Sequence, residues 1–143
     1  MILIECNPQN IDARYRNVIY KGVDYVVRNM QGLDDNYALS ICTYVLSLAR
    51  NAFEDEAFRR LESRSQMKDG MKWWSKPLPE DAEKNPWYSL SRTVDVEMTS
   101  YALLAYLRRN MLTEATQIMK WLVRQRNVEG GFASTQVSER WYC

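Results

Sequence analysis

Apolar residues recur along the chain with the period of amphipathic helices. In the segment 10–32 they fall three and four residues apart, which is the spacing of one helical face. The positions on this face are Tyr15, Val18, Ile19, Gly22, Val23, Val26, Val27 and Met30. Asn10 is a candidate N-cap and Gly32 a candidate stop, because these residue types favour the two ends of a helix. The pattern predicts a helix that packs along one side.

The next helix is predicted to be buried on most sides. Its apolar residues run nearly all the way round the segment 34–50, and Asp34 or Asp35 is placed to cap its first turn. The segment 51–66 then returns to an amphipathic pattern. Its apolar side consists of Phe53, Ala57, Phe58 and Leu61.

The periodicity is lost between residues 66 and 92. This stretch holds three prolines, a glycine and three tryptophans, and predicts a long ordered connection. A second mostly apolar helix follows over 94–109, and Thr113 is predicted to cap a last amphipathic helix. The stripe of that helix consists of Ala115, Ile118, Met119, Leu122 and Val123. Gly130-Gly131 is predicted to end it, because glycine tolerates a left-handed backbone.

The two apolar helices resemble each other in sequence. A shift of 57 residues lays 42–49 over 99–106, and matches Tyr44 with Tyr101 and one leucine with another. Apolar helices that alternate with amphipathic ones predict an all-α fold of helical hairpins, with the apolar helices inside and the amphipathic ones outside. A partial α/α toroid has this arrangement. A plain helical bundle or an α-solenoid would give nearly the same pattern.

Composition and charge exclude some classes of partner. The 143 residues are 46% hydrophobic and 26% charged, with a net charge of +1, so no strong field attracts nucleic acid or an anionic membrane. The basic pairs Arg59-Arg60, Arg108-Arg109 and Arg124 with Arg126 are interpreted as solvated faces. No run of residues reaches transmembrane length, and "MILIEC" lacks the basic and apolar regions of a signal peptide.

Motifs that carry catalytic chemistry are not found in the sequence. It contains no histidine, which excludes a Ser-His-Asp triad, a Cys-His pair and a zinc-binding His helix, and it has no phosphate-binding loop. The acidic clusters 34–35 and 54–56 stand at predicted helix starts, where capping and the helix dipole explain them. Asp95 and Glu97 could form a catalytic pair, but positions two apart point to different sides of a helix. We expect no catalytic, cofactor-binding or metal-binding residue and no enzymatic activity.

The cysteines predict neither a disulfide framework nor a metal site. Cys6, Cys42 and Cys143 are odd in number and widely spaced. Cys42 stands among apolar residues and is interpreted as a small core residue.

The tryptophans have two interpretations. Trp73, Trp74, Trp87 and the neighbouring Tyr88 could form an aromatic platform for a carbohydrate or a peptide. They could instead pack the connection over the helix ends, which we favour because buried aromatic rings contribute large contact areas. Trp121 lies one residue off the apolar stripe of its helix and is also interpreted as a packing residue.

Four blocks of the sequence resemble the thioester domain of the α2-macroglobulin and complement family. They are "DNYALSICTYVLSLA" (35–49), "MKWW" (71–74), "VDVEMTSYALLAYL" (94–107) and "IMKWLVRQRNVEGGFASTQ" (118–136). The resemblance covers about residues 1–136 in the family's order. It implies an α/α toroid in a secreted or surface-attached protein that serves endopeptidase inhibition and innate immune defence. Proteases and microbial or cell surfaces are the implied partners.

The sequence also departs from the family's pattern. The family's thioester forms within a Gly-Cys-Gly-Glu-Gln motif, and this motif is not found in the sequence. The resemblance places the thioester and its assisting histidine upstream of residue 1, so no catalytic residue is carried over. After Gln136 the family continues with an Asp-Thr pair and an apolar helix, whereas here "VSERWYC" follows. We therefore expect residues 1–136 to form the C-terminal part of such a toroid and residues 137–143 a divergent tail.

An open arc of a toroid is expected to expose apolar faces at both ends. Such faces favour marginal stability, contact with other domains of a parent chain, or self-association. Three functions remain open: a fragment of a thioester-type macroglobulin, a thioester-less interaction module, and an unrelated α/α-toroid enzyme such as a prenyltransferase subunit or terpene cyclase. The third would need zinc ligands or an acidic cyclase motif, and the sequence shows neither.

Overall fold

The computed structural model describes residues 13–76 and 89–126, with side chains from residue 15 in the first range and from residue 93 in the second. In these ranges the chain forms five helices and one β-hairpin. The helices are α1 (Ala13–Met30), α2 (Asn36–Ala49), α3 (Glu54–Glu62), α4 (Ser89–Arg108) and α5 (Leu112–Arg124). The hairpin strands are β1 (Gln66–Lys68) and β2 (Met71–Trp73), and they pair antiparallel.

The two apolar helices, α2 and α4, pack against each other and form the inner layer. The amphipathic helices lie outside them: α1 and α3 pack on α2, and α5 packs on α4 and on β2. This order confirms the all-α prediction of an arc of an α/α toroid. Tyr44 and Tyr101, which the internal repeat matches, lie in contact across the inner layer, with ring centroids 6.2 Å apart.

Most of the buried side chains form one cluster between the inner helices, α3, β2 and α5. Its members are Leu39, Phe58, Leu61, Trp74, Val96, Met98, Ala102, Leu103, Tyr106, Ala115, Ile118 and Leu122. A smaller cluster of Met30, Leu46 and Ala57, with three half-buried valines of α1, attaches α1 to the rest. The first helix is therefore held by far fewer buried side chains than the others.

Two of the predicted helix boundaries are confirmed. Asp35 caps α2, because its carboxylate accepts a hydrogen bond of 3.1 Å from the backbone N–H of Ala38. The first helix ends at Met30, two residues before Gly32, as predicted. The candidate cap Asn10 and the candidate stop Gly130-Gly131 lie outside the described residues.

The predicted cap at Thr113 is wrong. Helix α5 begins at Leu112 with Met111 in the cap position, and no side chain accepts a hydrogen bond there. The reason lies in the preceding turn. Asn110 adopts a left-handed backbone (φ 58°), and the Met111 N–H donates to the Tyr106 carbonyl at 3.1 Å. This tight closure of α4 brings the chain into α5 before Thr113 is reached.

The connection predicted over 66–92 contains regular structure. Its first part is the β-hairpin, whose two-residue turn Asp69-Gly70 has φ values of 53° and 70°. Two positive φ angles in succession define a type I′ turn, which matches the twist of a hairpin and favours Asp-Gly. The connection also ends earlier than predicted, because α4 begins at Ser89.

Candidate functional site

Asp95 and Glu97 lie on different sides of one helix. Both lie on α4, and residues two positions apart in a helix are separated by about 200° around its axis. The Asp95 carboxylate accepts a hydrogen bond of 3.1 Å from the backbone N–H of Lys76, just after the hairpin. Burial raises the pKa of Asp95, and this hydrogen bond and the charge of Lys76 oppose the rise. The contact anchors the end of the hairpin to the inner helix.

The acidic clusters act as caps and ion-pair partners. Asp35 caps α2 and lies 3.4 Å from the Lys76 ammonium group. Asp34 lies 3.5 Å from the guanidinium group of Arg64. The first turn of α3 carries three acidic residues, where the helix dipole favours negative charge. Within the two described ranges, no group of three or more His, Cys, Asp or Glu side chains could hold a metal ion.

Arg60 is a structural anchor, and its interpretation as part of a solvated face is wrong. Its guanidinium group donates to the carbonyls of Met30 at 2.7 Å and of Leu33 at 3.0 Å. These carbonyls lie at and just after the end of α1, where no intrahelical N–H remains to bind them. Arg64, in the turn just after the end of α3, donates to the Asp34 carbonyl at 2.7 Å. The two arginines hold the turn between α1 and α2.

Arg109 joins the inner layer to the outer one. It forms ion pairs with Asp55 and Glu54 in the first turn of α3, the latter at 3.5 Å. Its guanidinium carbon lies 4.4 Å from the ring centroid of Phe58, which adds a cation–π contact. The neighbouring Arg108 is exposed. The solvated-face interpretation therefore holds for one residue of this pair only.

A buried lysine that the sequence analysis did not single out lies in the hairpin. The Lys72 ammonium group pairs with Glu62 at the end of α3 and lies 5.1 Å from the ring centroid of Tyr106. The Lys72 side chain is 6% exposed. A buried charge is tolerated when it is paired, and removing one partner leaves the other uncompensated. Each strand has only three residues, so the alternation of polar and apolar positions is too short to predict from the sequence that Lys72 is buried.

The tryptophans pack, as predicted, wherever they are described. Trp74 is fully buried and its indole N–H donates to the Leu61 carbonyl at 2.7 Å. Trp73 and Trp121 are half-buried and stack with ring centroids 6.0 Å apart and an interplanar angle of 6°. Trp87 and Tyr88 lie outside the described residues.

Two of the blocks that carry the family resemblance meet at Trp74. The backbone N–H of Trp74 donates to the Thr99 hydroxyl at 3.1 Å, and this hydroxyl donates to the Trp74 carbonyl at 3.3 Å. The Trp74 and Tyr106 rings lie 5.9 Å apart between centroids. Residues of "MKWW" and "VDVEMTSYALLAYL" therefore pack against each other within the main buried cluster.

Cys42 is half-buried, so its interpretation as a core residue holds only in part. Burial raises the pKa of its thiol. A raised pKa lowers the thiolate fraction at neutral pH, and the thiolate is the reactive form. Cys6 and Cys143 lie outside the described residues. None of the described helices is long and apolar enough to cross a membrane.

The arc exposes an apolar face at each end. At one end, a groove of about 810 Å³ runs between α4, α5 and the hairpin turn. It is lined by Asp69, Met71, Leu103, Leu107, Leu112, Ala115, Thr116, Met119, Lys120, Val123 and Arg124. At the other end, α1 carries a stripe of Tyr15, Val18 and Tyr25, which are 45%, 66% and 68% exposed. We call these the α5 groove and the α1 stripe.

Comparison with known proteins gives one family. The sequence model of the A-macroglobulin TED domain matches residues 3–138. Thioester-containing protein 1 allele R1 from Anopheles gambiae is 33% identical over 124 residues, which are 87% of this chain and 8% of that protein. Ovostatin from Gallus gallus is 36% identical over 112 residues, 74% of this chain and 8% of ovostatin. Complement C3 from Lethenteron camtschaticum is 30% identical over 125 residues, 85% of this chain and 7% of that protein.

Proposed function

The chain belongs to the A-macroglobulin family through its TED domain, and on this premise we propose that it acts as part of that domain within a longer macroglobulin-type protein. Residues 1–136 would form the C-terminal part of the domain and residues 137–143 a divergent tail. The chain spans 7–8% of the length of the relatives it matches, which supports a place in a larger assembly.

The observation that carries this proposal is the pair of open apolar faces. In a closed toroid each helical hairpin is covered by two neighbours, and such neighbours would account for the exposed apolar side chains of the α1 stripe and the α5 groove. Exposed apolar patches of this kind are uncommon on proteins that act alone. Neighbouring hairpins of the same domain, or other domains of the parent protein, are the proposed partners.

The role of the parent protein is proposed from the family. It would act outside the cell in endopeptidase inhibition and innate immune defence, and would meet proteases or microbial and cell surfaces. These 143 residues would contribute a scaffold without covalent or enzymatic chemistry of their own. The sequence contains no Gly-Cys-Gly-Glu-Gln motif, and burial raises the pKa of Cys42, both of which support this division.

A thioester-less interaction module is the second candidate, and the same open faces favour it. In that case the 143-residue chain would occur by itself and use one face to bind a partner. The two candidates differ in the size of the molecule that carries the sequence.

An immunoblot distinguishes them. An antibody raised against residues 36–76 is used on extracellular fluid and on cell lysate of the source organism, under reducing conditions. We expect a band many times heavier than 16.9 kDa, in the extracellular fraction. A band at 16.9 kDa alone would contradict the proposal and favour the module.

The lack of covalent chemistry is tested on the purified chain. It is incubated with methylamine, which opens internal thioesters, and separately with a serine protease, and the intact mass is measured after each incubation. We expect no mass increase with methylamine and no covalent complex with the protease. A methylamine adduct would show that the chain forms a reactive acyl group of its own.

A further inference from the structure

The exposed apolar side chains are concentrated on two faces. Ten large hydrophobic side chains are exposed in the described part of the chain, and seven of them lie on the α1 stripe and the α5 groove. The groove contributes four of the seven: Leu107, Leu112, Met119 and Val123. Scattered exposed apolar residues are ordinary, but a contiguous set marks an interaction surface.

The α1 stripe has the shape of a helix face that can enter a groove. Tyr15, Val18 and Tyr25 lie within about 80° of one another around the helix axis, at 100° per residue. Gly22 falls on the same strip, and an added Cβ there would have no atom within 4 Å. The stripe therefore has two tyrosine rings and a valine with a notch between them.

The α5 groove is continuous with the core. Two of its lining residues, Leu103 and Ala115, belong to the main buried cluster and are 1% and 4% exposed. Leu112 and Val123 stand on its α5 side, 59% and 55% exposed. A helix seated in the groove would extend the existing packing of α4 and α5 by one more layer.

One copy cannot fill its own groove with its own stripe. Helix α1 packs on α2, while the groove lies beyond α4 and α5, so the inner layer separates the two faces. The faces also match in size. From the exposed fractions, each presents roughly 350 Å² of residue surface. One contact that covered both faces completely would bury roughly 700 Å² of apolar residues. Because slightly more than half of an interface is apolar, this corresponds to about 1,200 Å² in all, the lower end for specific complexes.

We propose that the α1 stripe of one copy of this chain docks in the α5 groove of a second copy. The contact is heterologous, since two different faces meet, and it leaves one stripe and one groove free at the ends of a pair. Two arcs can then close into a ring, or further copies can add. The proposal concerns the 143-residue chain itself and goes beyond its role in a longer protein.

Two end-blocked variants test the proposal. The stripe-blocked variant carries Val18→Glu and Tyr25→Glu, and the groove-blocked variant carries Leu112→Glu and Met119→Glu. All four positions are exposed, so the charges meet water in the folded monomer. Matched controls place one glutamate elsewhere on the same helices: Tyr20→Glu on α1, and Thr113→Glu on α5, which does not line the groove. Far-UV circular dichroism checks that every variant keeps its helix content.

Sedimentation velocity is measured from about 1 to about 100 μM, the range in which a contact at the lower end of interface size dissociates. We expect the unsubstituted chain and both controls to associate with concentration. Each blocked variant alone should stay monomeric, with its apparent Kd raised at least tenfold. An equimolar mixture of the two blocked variants should form a dimer and nothing larger, because only one intact stripe and one intact groove remain.

Three outcomes would overturn the proposal. The unsubstituted chain could remain monomeric at the highest concentration. The stripe-blocked variant could still dimerise alone, which would assign the contact to two grooves. The mixture could stay monomeric while the controls associate. None of these bears on the size of the band in the immunoblot, so the proposed function and this inference can fail separately.

Discussion

Charged side chains in this protein connect secondary-structure elements. Arg60 on α3 binds carbonyls at the end of α1, Arg109 at the end of α4 binds the start of α3, and Lys72 in β2 binds Glu62. Each of these side chains is partly or fully buried, and a buried ion pair is screened less by solvent and salt than one at the surface. An exposed ion pair, such as that of Arg28 with Asp24, contributes about 0–1 kcal/mol. The partly buried ones determine how the helices are placed relative to one another.

Asp95→Asn is expected to remove the loss of folding stability that ionisation of the buried Asp95 carboxyl group causes as the pH rises. Burial raises the pKa of Asp95 above its ordinary value of 3.8, so the folded state binds more protons than the unfolded state in the window just above that value. The contribution of Asp95 to stability therefore falls as pH rises through the window and stays low above it. Asparagine can accept the same hydrogen bond from the Lys76 N–H without a charge.

Urea unfolding at several pH values measures the effect. The free energy of unfolding of the Asn variant, relative to the unsubstituted chain, should be higher at neutral pH than below pH 3.8. Asp95→Ala is the control, because it removes the acceptor with the charge and should be the less stable variant at every pH. If the stability of the Asn variant relative to the unsubstituted chain increased as the pH was lowered, the raised pKa of Asp95 would be contradicted.

At the scale of elements, the β-hairpin shows how much a short segment can contribute. Its two strands have three residues each, and an isolated hairpin of that size is not stable in water. Here it places Lys72 beside Tyr106, and Trp74 immediately after it in the core. Its exit is held by Thr99 and Asp95 of α4. The hairpin depends on the inner helix, and the core depends on the hairpin for its largest side chain.

Gly70→Ala should destabilise the protein by about 1 kcal/mol, because φ at Gly70 is +70° and a Cβ is strained in this region. Gly22→Ala is the matched control and should have the opposite sign. Gly22 lies inside α1 with open space at its Cβ, and alanine in a helix interior is favoured by about 0.5–1 kcal/mol over glycine. Chemical denaturation followed by circular dichroism measures both. Equal effects of the two substitutions would contradict the assignment of the turn.

The whole molecule is an arc whose layers differ in protection from solvent. The inner helices α2 and α4 pack on each other and on the outer helices, whereas α1 packs on α2 through a small cluster. Local opening takes less free energy where few apolar contacts are lost. The stability of this chain is therefore expected to be uneven, with α1 at its weakest end.

Hydrogen–deuterium exchange tests this order. Amides of α2 and α4 should exchange most slowly and those of α1 most rapidly among the five described helices. The experiment is done at a concentration at which the chain is monomeric, because docking of the α1 stripe would protect α1. Protection of α1 equal to that of α2 under these conditions would contradict the uneven arc.

The sequence predicted well what depends on neighbouring residues. The burial of α2 and α4 was predicted because apolar residues occur on nearly all sides of both helices. The cap at Asp35 was predicted because a carboxylate stands just before the first turn. The hairpin was missed although Asp69-Gly70 is a direct signal for a type I′ turn. Arg60 was misread for a different reason. Its acceptor, the Met30 carbonyl, is 30 residues away in the sequence, and the pattern of neighbouring residues cannot predict a contact over that separation.

The predicted apolar stripes are covered only in part, because a stripe shows which face of a helix is apolar and not whether that face is packed. On α5, Ala115, Ile118 and Leu122 are buried, while Met119 and Val123 on the same predicted stripe are 41% and 55% exposed. Periodicity cannot show whether a neighbour is present to cover the face. The candidate interaction surfaces are the parts of the stripes that the described elements leave uncovered.

The paired hydrogen bonds between Trp74 and Thr99 have a consequence for how the chain can change in length. They join positions 25 residues apart and hold both ends of the stretch between them. Once the ends of a connection are held, doubling its length costs only about 0.6 kcal/mol of loop-closure entropy. Insertions between residues 76 and 89, before α4 begins, are therefore expected to cost the core little stability. The turn between Arg50 and Glu54 has no such freedom, because its backbone hydrogen bonds, from the Asn51 N–H to the Leu46 carbonyl and from the Glu54 N–H to the Asn51 carbonyl, would be disrupted by an added residue.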